Sequence, residues 1–214
     1  MFVTFEGPEG SGKTSQIIPL VNTLRQKGYK VFATREPGGT TIGDQIRQVL
    51  TRLDNKSMNP RTEILLFCAS RAQLVDETIT PRLEKGEIVL CDRFTDSTLA
   101  YQGYGHGLDL DFLRRLLNFA TNGIKPDLTL LLDVDPEMGL RRRINSGGEW
   151  NRLDAYELAF HQRVRQGYLK MAQEEPDRWV VVDAGQTPEK VQAVLQKSLL
   201  NHLEMFKKRQ KKGS

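Results

Sequence analysis

The segment that decides the fold is Gly7-Pro8-Glu9-Gly10-Ser11-Gly12-Lys13-Thr14. It matches the pattern G-x-x-x-x-G-K-[ST], which is typical of a loop that binds the phosphates of a nucleotide. A β-prone run at residues 2–5 precedes it, and a helical pattern follows it. In that context the loop N–H groups and the positive end of the helix dipole converge, which favours a phosphate site over a chance glycine-rich turn. The segment predicts a nucleoside triphosphate site in which Lys13 reaches the β- and γ-phosphates and the Thr14 hydroxyl binds Mg²⁺.

The composition favours one folded domain in a reducing environment. The chain has 214 residues, which is long enough for a single hydrophobic core. No run of about eighteen apolar residues occurs, so no membrane-spanning helix is expected, and the first strand begins too early for a secretory leader. Cys68 and Cys91 lie in apolar stretches without metal-ligand spacing, which predicts free thiols and a cytoplasmic protein.

The positive charge of the chain is concentrated at its end. The formal net charge is +4, but five cations lie between Lys207 and Lys212, and without them the charge becomes −1. Because the rest of the chain is close to neutral, we expect no specific nucleic-acid partner. Residues 1–206 are predicted to form a single domain, and residues 207–214 a basic tail that is expected to be disordered.

Short apolar runs alternate with longer helical patterns along the chain. The predicted strands cover residues 2–5, 30–33, 87–91, 128–132 and 179–182. The predicted helices cover residues 13–27, 42–53, 61–85 with a break at Pro81, 109–122, 136–144, 154–175 and 188–205. This alternation predicts an α/β fold with a mostly parallel sheet, helices on both faces, and a ligand site beyond the carboxyl ends of the strands.

Asp92 and Arg93 follow the third predicted strand, at the edge of the sheet where the phosphate loop is expected. An aspartate there can hold Mg²⁺ or orient a nucleophile, and an arginine there can grip a phosphate with two N–H groups. The alternative is a structural ion pair at a strand end. The neighbouring phosphate loop favours the functional interpretation.

A cluster of arginines surrounds a pair of glycines and predicts a lid at about residues 141–154. The glycines are Gly147 and Gly148, and the cluster comprises Arg141, Arg142, Arg143 and Arg152. Four guanidinium groups around a flexible turn could close over phosphates, whereas the alternative is a solvated helix face. Consecutive arginines fan around a helix, so only one or two of Arg141 to Arg143 can reach one ligand, and Arg152 is the preferred candidate.

Two further segments carry groups that suit a nucleobase. Phe67 and Arg71 lie four residues apart on a predicted helix, so an aromatic plane and a guanidinium share one face, although Phe67 could equally be a core residue. Tyr101 and Gln102 offer an aromatic wall and an amide that can pair with a base edge. A tight loop at the ligand edge of the sheet has the sequence Arg35-Glu36-Pro37-Gly38-Gly39-Thr40.

Taken together, these segments resemble the bacterial type of thymidylate kinase, a family of P-loop nucleoside monophosphate kinases. The matching segments are residues 5–14, 34–39, 66–67 with 70–71, 91–93, 100–103 and 151–154. The resemblance implies a three-layer P-loop NTPase fold with a five-stranded parallel sheet. It also implies Mg²⁺-dependent transfer of the γ-phosphoryl group of ATP to dTMP, giving dTDP and ADP in dTTP synthesis, and a homodimer. The alternatives are a P-loop kinase with another acceptor and a nucleotide-dependent switch or ATPase without an acceptor.

The resemblance also assigns roles to individual residues on the dTMP side. It implies that Phe67 stacks on thymine, that Arg71 donates to a thymine carbonyl, and that Tyr101 lies under the deoxyribose. The other implied dTMP contacts come from Glu36, Pro37, Arg47, Arg93, Thr98 and Gln102.

The implied catalytic set lies at the junction of the two nucleotides. It comprises Lys13, Arg93, Arg152, Glu9 and Asp92, with Thr14 and Asp92 at the metal. One branch of the family carries an arginine inside the phosphate loop. This chain has Gly10 at that position and resembles the branch in which lid arginines assist transfer.

Overall fold

One parallel sheet organises the chain in the computed structural model, which describes residues 1–145 and 150–212. Its strands are β1 (Phe2–Glu6), β2 (Val31–Arg35), β3 (Ile88–Asp92), β4 (Leu128–Asp133) and β5 (Trp179–Asp183). They are hydrogen-bonded in the order β2-β3-β1-β4-β5, and every pair is parallel. The predicted α/β fold and five-stranded parallel sheet are confirmed, and each predicted strand lies within two residues of the observed one.

Helices connect the strands and cover both faces of the sheet. They are α1 (Lys13–Gln26), α2 (Thr41–Thr51), α3 (Pro60–Leu74), α4 (Thr80–Glu84), α5 (Thr95–Thr98), α6 (Leu110–Ala120), α7 (Pro136–Asn145), α8 (Leu158–Glu174) and α9 (Pro188–Lys212). Short polar side chains begin several of them. Thr40 Oγ1 accepts from Gly43 N at 3.0 Å before α2, and Asn59 Oδ1 accepts from Arg61 N at 2.9 Å before α3.

The side chains of the central strands alternate between two cores. Val3, Leu130 and Leu132 pack with α1 and α9 on one face of the sheet. Leu131 packs with α6 and α8 on the other face. All of β1 is buried, as expected for a central parallel strand that is covered on both sides. β1 lies between β3 and β4, so the chain crosses away from it in two directions and leaves a crevice at its carboxyl end.

The helix predicted at residues 61–85 is interrupted before Pro81, by a π-helical turn. The helix widens into a π-helical turn at Val75–Ile79, and α4 then begins at Thr80 with Pro81 in its first turn. Proline has no N–H to donate and its ring crowds the preceding turn, so a wider turn before Pro81 accommodates it. Val75 and Ile79 are fully buried, which anchors this turn in the core.

The segment that follows β3 is helical, which the sequence did not predict. α5 continues into a π-helical stretch, Leu99–Gly105, whose residues are mostly buried. α8 packs closely against this stretch. A Cβ on Gly105 would lie 2.6 Å from Phe160 Cε2, and one on Gly167 would lie 2.5 Å from Tyr104 Cδ2. Tertiary packing on α8 therefore gives helical structure to a glycine-containing run with a weak propensity of its own.

α8 begins at Leu158, four residues later than predicted. A hydrogen-bonded turn precedes it, in which Asn151 Oδ1 accepts from Leu153 N at 2.8 Å and Asp154 Oδ2 accepts from Asn151 N at 2.9 Å. Side chains of this kind compete with helical hydrogen bonds and hold the backbone in a turn.

The last helix is longer than predicted. α9 continues to Lys212, beyond the predicted end at residue 205, while the disorder expected of residues 207–214 stays a prediction. Lysine and arginine are good helix formers and suit the negative end of the helix dipole. Lys207 also contacts Tyr29, with Nζ 3.1 Å from the hydroxyl and 4.3 Å from the ring centroid.

α7 packs directly against the glycine-rich loop. A Cβ on Gly10 would lie 1.9 Å from the carbonyl oxygen of Gly139, and one on Gly139 would lie 2.2 Å from the carbonyl oxygen of Glu9. Two backbones are therefore in contact at this point, which fixes the start of α7 relative to the loop.

Candidate active site at the carboxyl edge of the sheet

The glycine-rich loop joins β1 to α1 and encloses a lysine. Gly10 and Gly12 have φ values of 68° and 85°, in the left-handed region that glycine adopts without strain. Lys13 Nζ donates to the carbonyl oxygens of Gly7 at 3.0 Å and Pro8 at 3.1 Å. Burial, with Arg93 nearby, lowers the pKa of Lys13 to about 8. The loop thus holds a buried cation against its own carbonyl oxygens.

Thr14 and Asp92 meet beside the loop. Thr14 Oγ1 donates to Asp92 Oδ2 at 2.7 Å, and both residues line the cleft. Hydroxyl and carboxylate oxygens are the ligands that Mg²⁺ prefers, so this pair fits a magnesium ion. Among residues 1–145 and 150–212 there is no cluster of three His, Cys, Asp or Glu that could hold a metal. A magnesium ion here would take its remaining ligands from phosphates and water.

Arg93 occupies the centre of the cleft and connects its two ends. Its backbone is left-handed, with φ of 68°, a conformation that is uncommon for a residue with a side chain. Nη1 donates to the carbonyl oxygen of Gly7 at 3.1 Å, and Nη2 donates to Glu9 Oε1 at 2.8 Å and to the Tyr101 hydroxyl at 3.1 Å. Arg93 therefore ties the phosphate loop to the residues after β3.

Glu9 is the counter-charge of Arg93. Tyr101 also donates its hydroxyl to Glu9 Oε1, at 2.8 Å. Burial alone would raise the pKa of Glu9, but Arg93 and Lys13 outweigh burial and lower the pKa to about 2. Glu9 consequently stays ionised at neutral pH.

A second carboxylate, Glu6, is the last residue of β1 and lies close to Arg93. It is fully buried, and it accepts from Phe94 N at 2.8 Å, from Ser97 Oγ at 2.5 Å and from the Tyr168 hydroxyl at 3.1 Å. Ser97 and Tyr168 in turn contact Arg93 Nη1. Burial and the nearby Asp96 raise the pKa of Glu6 to about 7.

The part of the cleft away from the glycine-rich loop contains a buried ion pair between Arg71 and Glu36. Arg71 Nε donates to Glu36 Oε2 at 2.8 Å, and Arg71 Nη2 donates to the carbonyl oxygen of Phe94 at 3.1 Å. Within the described residues, Arg71 Nη1 and Glu36 Oε1 have no hydrogen-bond partner. Buried polar atoms are normally satisfied, and both residues line the cleft, so these two atoms are candidates to contact a ligand. Arg47 Nη1 donates to the carbonyl oxygen of Pro37, the residue after Glu36, at 3.1 Å.

Gln102 and Thr98 complete the wall opposite Phe67. Thr98 and Gln102 are each 1% exposed, and both line the cleft, as does Phe67. Gln102 Nε2 donates to Glu63 Oε1 at 2.6 Å. Glu63 was not singled out in the sequence, where it reads as an ordinary acidic residue in the first turn of a helix.

Of the four arginines of the predicted lid, two line the cleft and two do not. Arg142 and Arg143 line the cleft. Arg142 Nη1 donates to the carbonyl oxygen of Ala184 at 2.6 Å, and Arg143 pairs with Asp154 at 3.2 Å. Arg141 is exposed and pairs with Glu137 on its own helix.

Arg152 is not among the residues that line the cleft, and it contacts α2 and α3. It is 6% exposed and forms an ion pair with Glu63, while its Nε donates to the carbonyl oxygen of Leu50 at 3.0 Å. A buried carboxylate needs a counter-charge, and Arg152 is the arginine that supplies it to Glu63. The predicted hinge at Gly147 and Gly148 lies outside the described residues.

The cleft has a volume of about 650 Å³. That volume is typical of a site for small molecules. Among the residues predicted from the sequence, those that line it are Glu9, Gly10, Ser11, Gly12, Lys13, Thr14, Glu36, Pro37, Arg47, Phe67, Arg71, Asp92, Arg93, Thr98, Tyr101, Gln102, Arg142 and Arg143. Gly7 and Pro8 contribute their carbonyl oxygens to Lys13 behind this wall.

A phosphate loop at one end of a cleft, and an aromatic side chain with a guanidinium at the other, define a P-loop kinase that acts on a nucleoside monophosphate. Residues 5–195 match the family model described as thymidylate kinase. The chain is 55% identical over 190 residues to the thymidylate kinase of Thermomicrobium roseum, covering 89% of this chain and 90% of that one. It is 53% identical over 201 residues to the thymidylate kinase of Roseiflexus castenholzii, covering 88% of each chain.

A solved structure agrees with these relatives. The crystal structure of thymidylate kinase from Ehrlichia chaffeensis superposes with a TM-score of 0.75 at 35% identity, covering 93% of this chain and 98% of that one. The chain belongs to the thymidylate kinase family. Its activity is the phosphorylation of dTMP by ATP, which gives dTDP for dTTP biosynthesis, and the resemblance seen in the sequence is confirmed.

Across the part of the chain that the structure describes, each helix is too short or too polar to cross a membrane.

The buried carboxyl of Glu6 predicts a pH-dependent component of stability. Its pKa is about 7 in the folded protein, against an ordinary value of 4.5. Between these values the folded chain keeps a proton that the unfolded chain has lost, so stability falls as pH rises from about 4.5 to 7. We expect Glu6→Gln to remove this fall, which amounts to roughly 3 kcal/mol at most.

The measurement is urea unfolding of the original protein and of Glu6→Gln at pH 5 and pH 7.5. The change in the free energy of unfolding between the two pH values is compared between the two proteins. Glu189→Gln, at an exposed position on α9, is the matched control and should leave the pH dependence unchanged. Equal pH dependence in the protein with and without Glu6→Gln would refute the assignment.

Proposed function

We propose that the cleft holds ATP and dTMP end to end and that phosphoryl transfer requires Mg²⁺. The observation that carries this proposal is Arg93, whose guanidinium contacts the phosphate loop at Gly7 and the opposite wall at Tyr101. A cation at that junction can bind the dTMP phosphate on one side and the γ-phosphate on the other.

The ATP end is formed by residues 7–14. Backbone N–H groups of the loop and the first turn of α1 face the phosphates, and Lys13 turns from its own carbonyls to the β- and γ-phosphates. Thr14 and Asp92 would hold Mg²⁺ with their oxygens. The ion, when bound, supplies positive charge to the β- and γ-phosphates.

The dTMP end is formed by the walls around Phe67 and Arg71. Phe67 stacks on thymine, the unpartnered Arg71 Nη1 donates to a thymine carbonyl, and Thr98 and Gln102 approach the base edge. Tyr101 lies under the deoxyribose. The sugar and phosphate are contacted by Glu36, Pro37, Arg47 and Arg93.

The chemistry needs no covalent intermediate and no strong base. An oxygen of the dTMP phosphate, already anionic, forms a bond to the γ-phosphorus as the bond from that phosphorus to the β-phosphate oxygen breaks, and ADP leaves. The barrier is electrostatic, because two polyanions must approach in line. Lys13 and Arg93, together with Arg142 and Arg143, supply the compensating charge, while the ionised Glu9 keeps Arg93 in place.

A panel of acceptors tests the proposal directly. With ATP and Mg²⁺, ADP release should require a monophosphate, and dTMP should exceed dCMP and AMP by roughly 10³-fold in kcat/KM, because a site built to pair with a base rejects one that leaves its polar atoms unpaired. EDTA should abolish turnover, and added Mg²⁺ should restore it. ADP release without any monophosphate would instead indicate an ATPase, and equal use of dCMP would indicate a different acceptor.

Two neighbouring arginines on α7 provide a matched test of the lid. Arg142→Ala should lower kcat by roughly 10²–10³-fold, because it removes a guanidinium from the cleft. Arg141→Ala removes the same charge from an exposed position that pairs with Glu137, and kcat should stay within about twofold. Equal losses in the two variants, measured in the same assay, would eliminate a specific role for Arg142.

We infer further that the protein forms a homodimer through the outer surface of α2, α3 and α6. α3 contacts both of the other helices, and all three carry exposed apolar side chains. The most exposed of these are Ile42, Leu65, Phe112 and Phe119, which are 50%, 58%, 52% and 85% exposed. Apolar side chains concentrated on adjacent helices favour association.

Sedimentation analysis should find the original protein at twice the chain mass at micromolar concentration. Phe119→Glu places a charge in the proposed interface and should weaken the dimer by at least about tenfold. Ile18→Glu, at a 63% exposed position on α1, is the control and should remain dimeric. A monomeric original protein, or dissociation caused by the control alone, would contradict the proposed interface.

The two buried free thiols, Cys68 and Cys91, support a further part of the proposal, that the enzyme works in the reducing environment of the cytoplasm.

A further inference from the structure

Glu63 is a buried carboxylate without an assigned role. It lies in the first turn of α3 and is 1% exposed. Burial alone would raise the pKa of Glu63, but His106 and Arg152 outweigh burial and hold the pKa below its ordinary value. Glu63 is therefore ionised, and an ionised carboxylate can only accept hydrogen bonds.

The two oxygens of Glu63 have different partners. Oε1 accepts from Gln102 Nε2 at 2.6 Å and lies 3.6 Å from His106 Nε2. Oε2 forms the ion pair with Arg152 and accepts from the Tyr156 hydroxyl at 3.4 Å. One side of the carboxylate thus faces the wall of the cleft, and the other faces the turn that precedes α8.

The contact with Glu63 decides which end of the Gln102 amide is available to a ligand. A carboxylate cannot donate, so the amide must turn its NH₂ group to Glu63, which leaves Oε1 as the atom that remains. Gln102 lines the cleft, and within the described residues its Oε1 accepts no hydrogen bond. The cleft therefore presents an acceptor, and not a donor, at this position.

We propose that Glu63 is a positioning residue that sets the pyrimidine selectivity of the enzyme by holding the Gln102 amide oxygen toward the base. This inference rests on the proposed binding of the base beside Phe67 and Gln102. Thymine has an N–H at ring position 3, which can donate to an amide oxygen. Cytosine has a lone pair at that position, and two acceptors facing one another repel.

Arg152 contributes to the position of Gln102 through its ion pair with Glu63. By occupying Oε2 it keeps Glu63 charged and leaves Oε1 for Gln102. Its Nε bond to the carbonyl oxygen of Leu50 anchors the guanidinium to α2. Arg152 thus acts on the base end of the cleft through Glu63, at a distance from the phosphates.

Glu63→Gln tests the proposal, because an amide at position 63 can accept or donate and allows Gln102 to present either end. The expected result is that the ratio of kcat/KM for dTMP to that for dCMP falls by about tenfold or more. The ratio is measured on one preparation of each variant, so loss of folded enzyme affects both substrates equally and cancels. A purely structural role would lower the melting temperature and both values of kcat/KM without moving the ratio.

Two further variants define the outcome. Tyr156→Phe removes a neighbour of Oε2 but keeps the bond from Gln102 to Glu63, and it should keep the ratio. Gln102→Ala should lower the ratio, and adding Glu63→Gln to it should have no further effect. If Gln102→Ala leaves the ratio unchanged, the proposed binding of the base fails and the inference fails with it. If Gln102→Ala lowers the ratio and Glu63→Gln does not, the role of Glu63 alone is refuted.

Discussion

The ion pair between Arg93 and Glu9 is the contact on which the geometry of the cleft depends. Arg93 comes from the segment after β3 and Glu9 from the loop after β1, so the pair joins the ends of two adjacent strands. The left-handed backbone of Arg93 directs its guanidinium into this position, and Glu6 receives the next backbone N–H from below. A strained residue persists only where its surroundings hold it, and here two carboxylates and two tyrosine hydroxyls do so.

Each important cation of the cleft already has an acceptor within the protein. Lys13 lies against loop carbonyls, Arg71 against Glu36, and Arg93 against Glu9. These contacts fix the orientation of the three cations in the structure. Preorganised charge of this kind lowers the electrostatic work of bringing two phosphates together.

The parts of the structure that the sequence predicted are those governed by local pattern. Strand runs, helix periodicity and the glycine-rich loop are fixed by neighbours in the chain, so the sheet and the loop were predicted within a few residues. The same holds for Asp92, because the end of a parallel strand determines the edge at which its next residue lies.

The parts that escaped prediction depend on partners distant in sequence. Glu63 and Tyr168 look like an ordinary helix acid and an ordinary core aromatic until α3 and α8 are packed around the segment after β3. The contacts of Arg152 could not be predicted for the same reason. Its position after Gly147 and Gly148 suggested a lid, but the buried carboxylate on α3 determines where its guanidinium lies. The π-helical stretch at Leu99–Gly105 likewise owes its form to α8.

The backbone contact between Gly10 and Gly139 links the choice of residue in the glycine-rich loop to the position of α7. Because the position of a Cβ on Gly10 is occupied by a carbonyl oxygen of α7, no larger residue fits there while that helix stays in place. A side chain at position 10 would require α7 to start farther away, which would also move Arg142 and Arg143. One backbone contact thus connects the glycine-rich loop with the two arginines of α7, so that a side chain added at either glycine would disturb both.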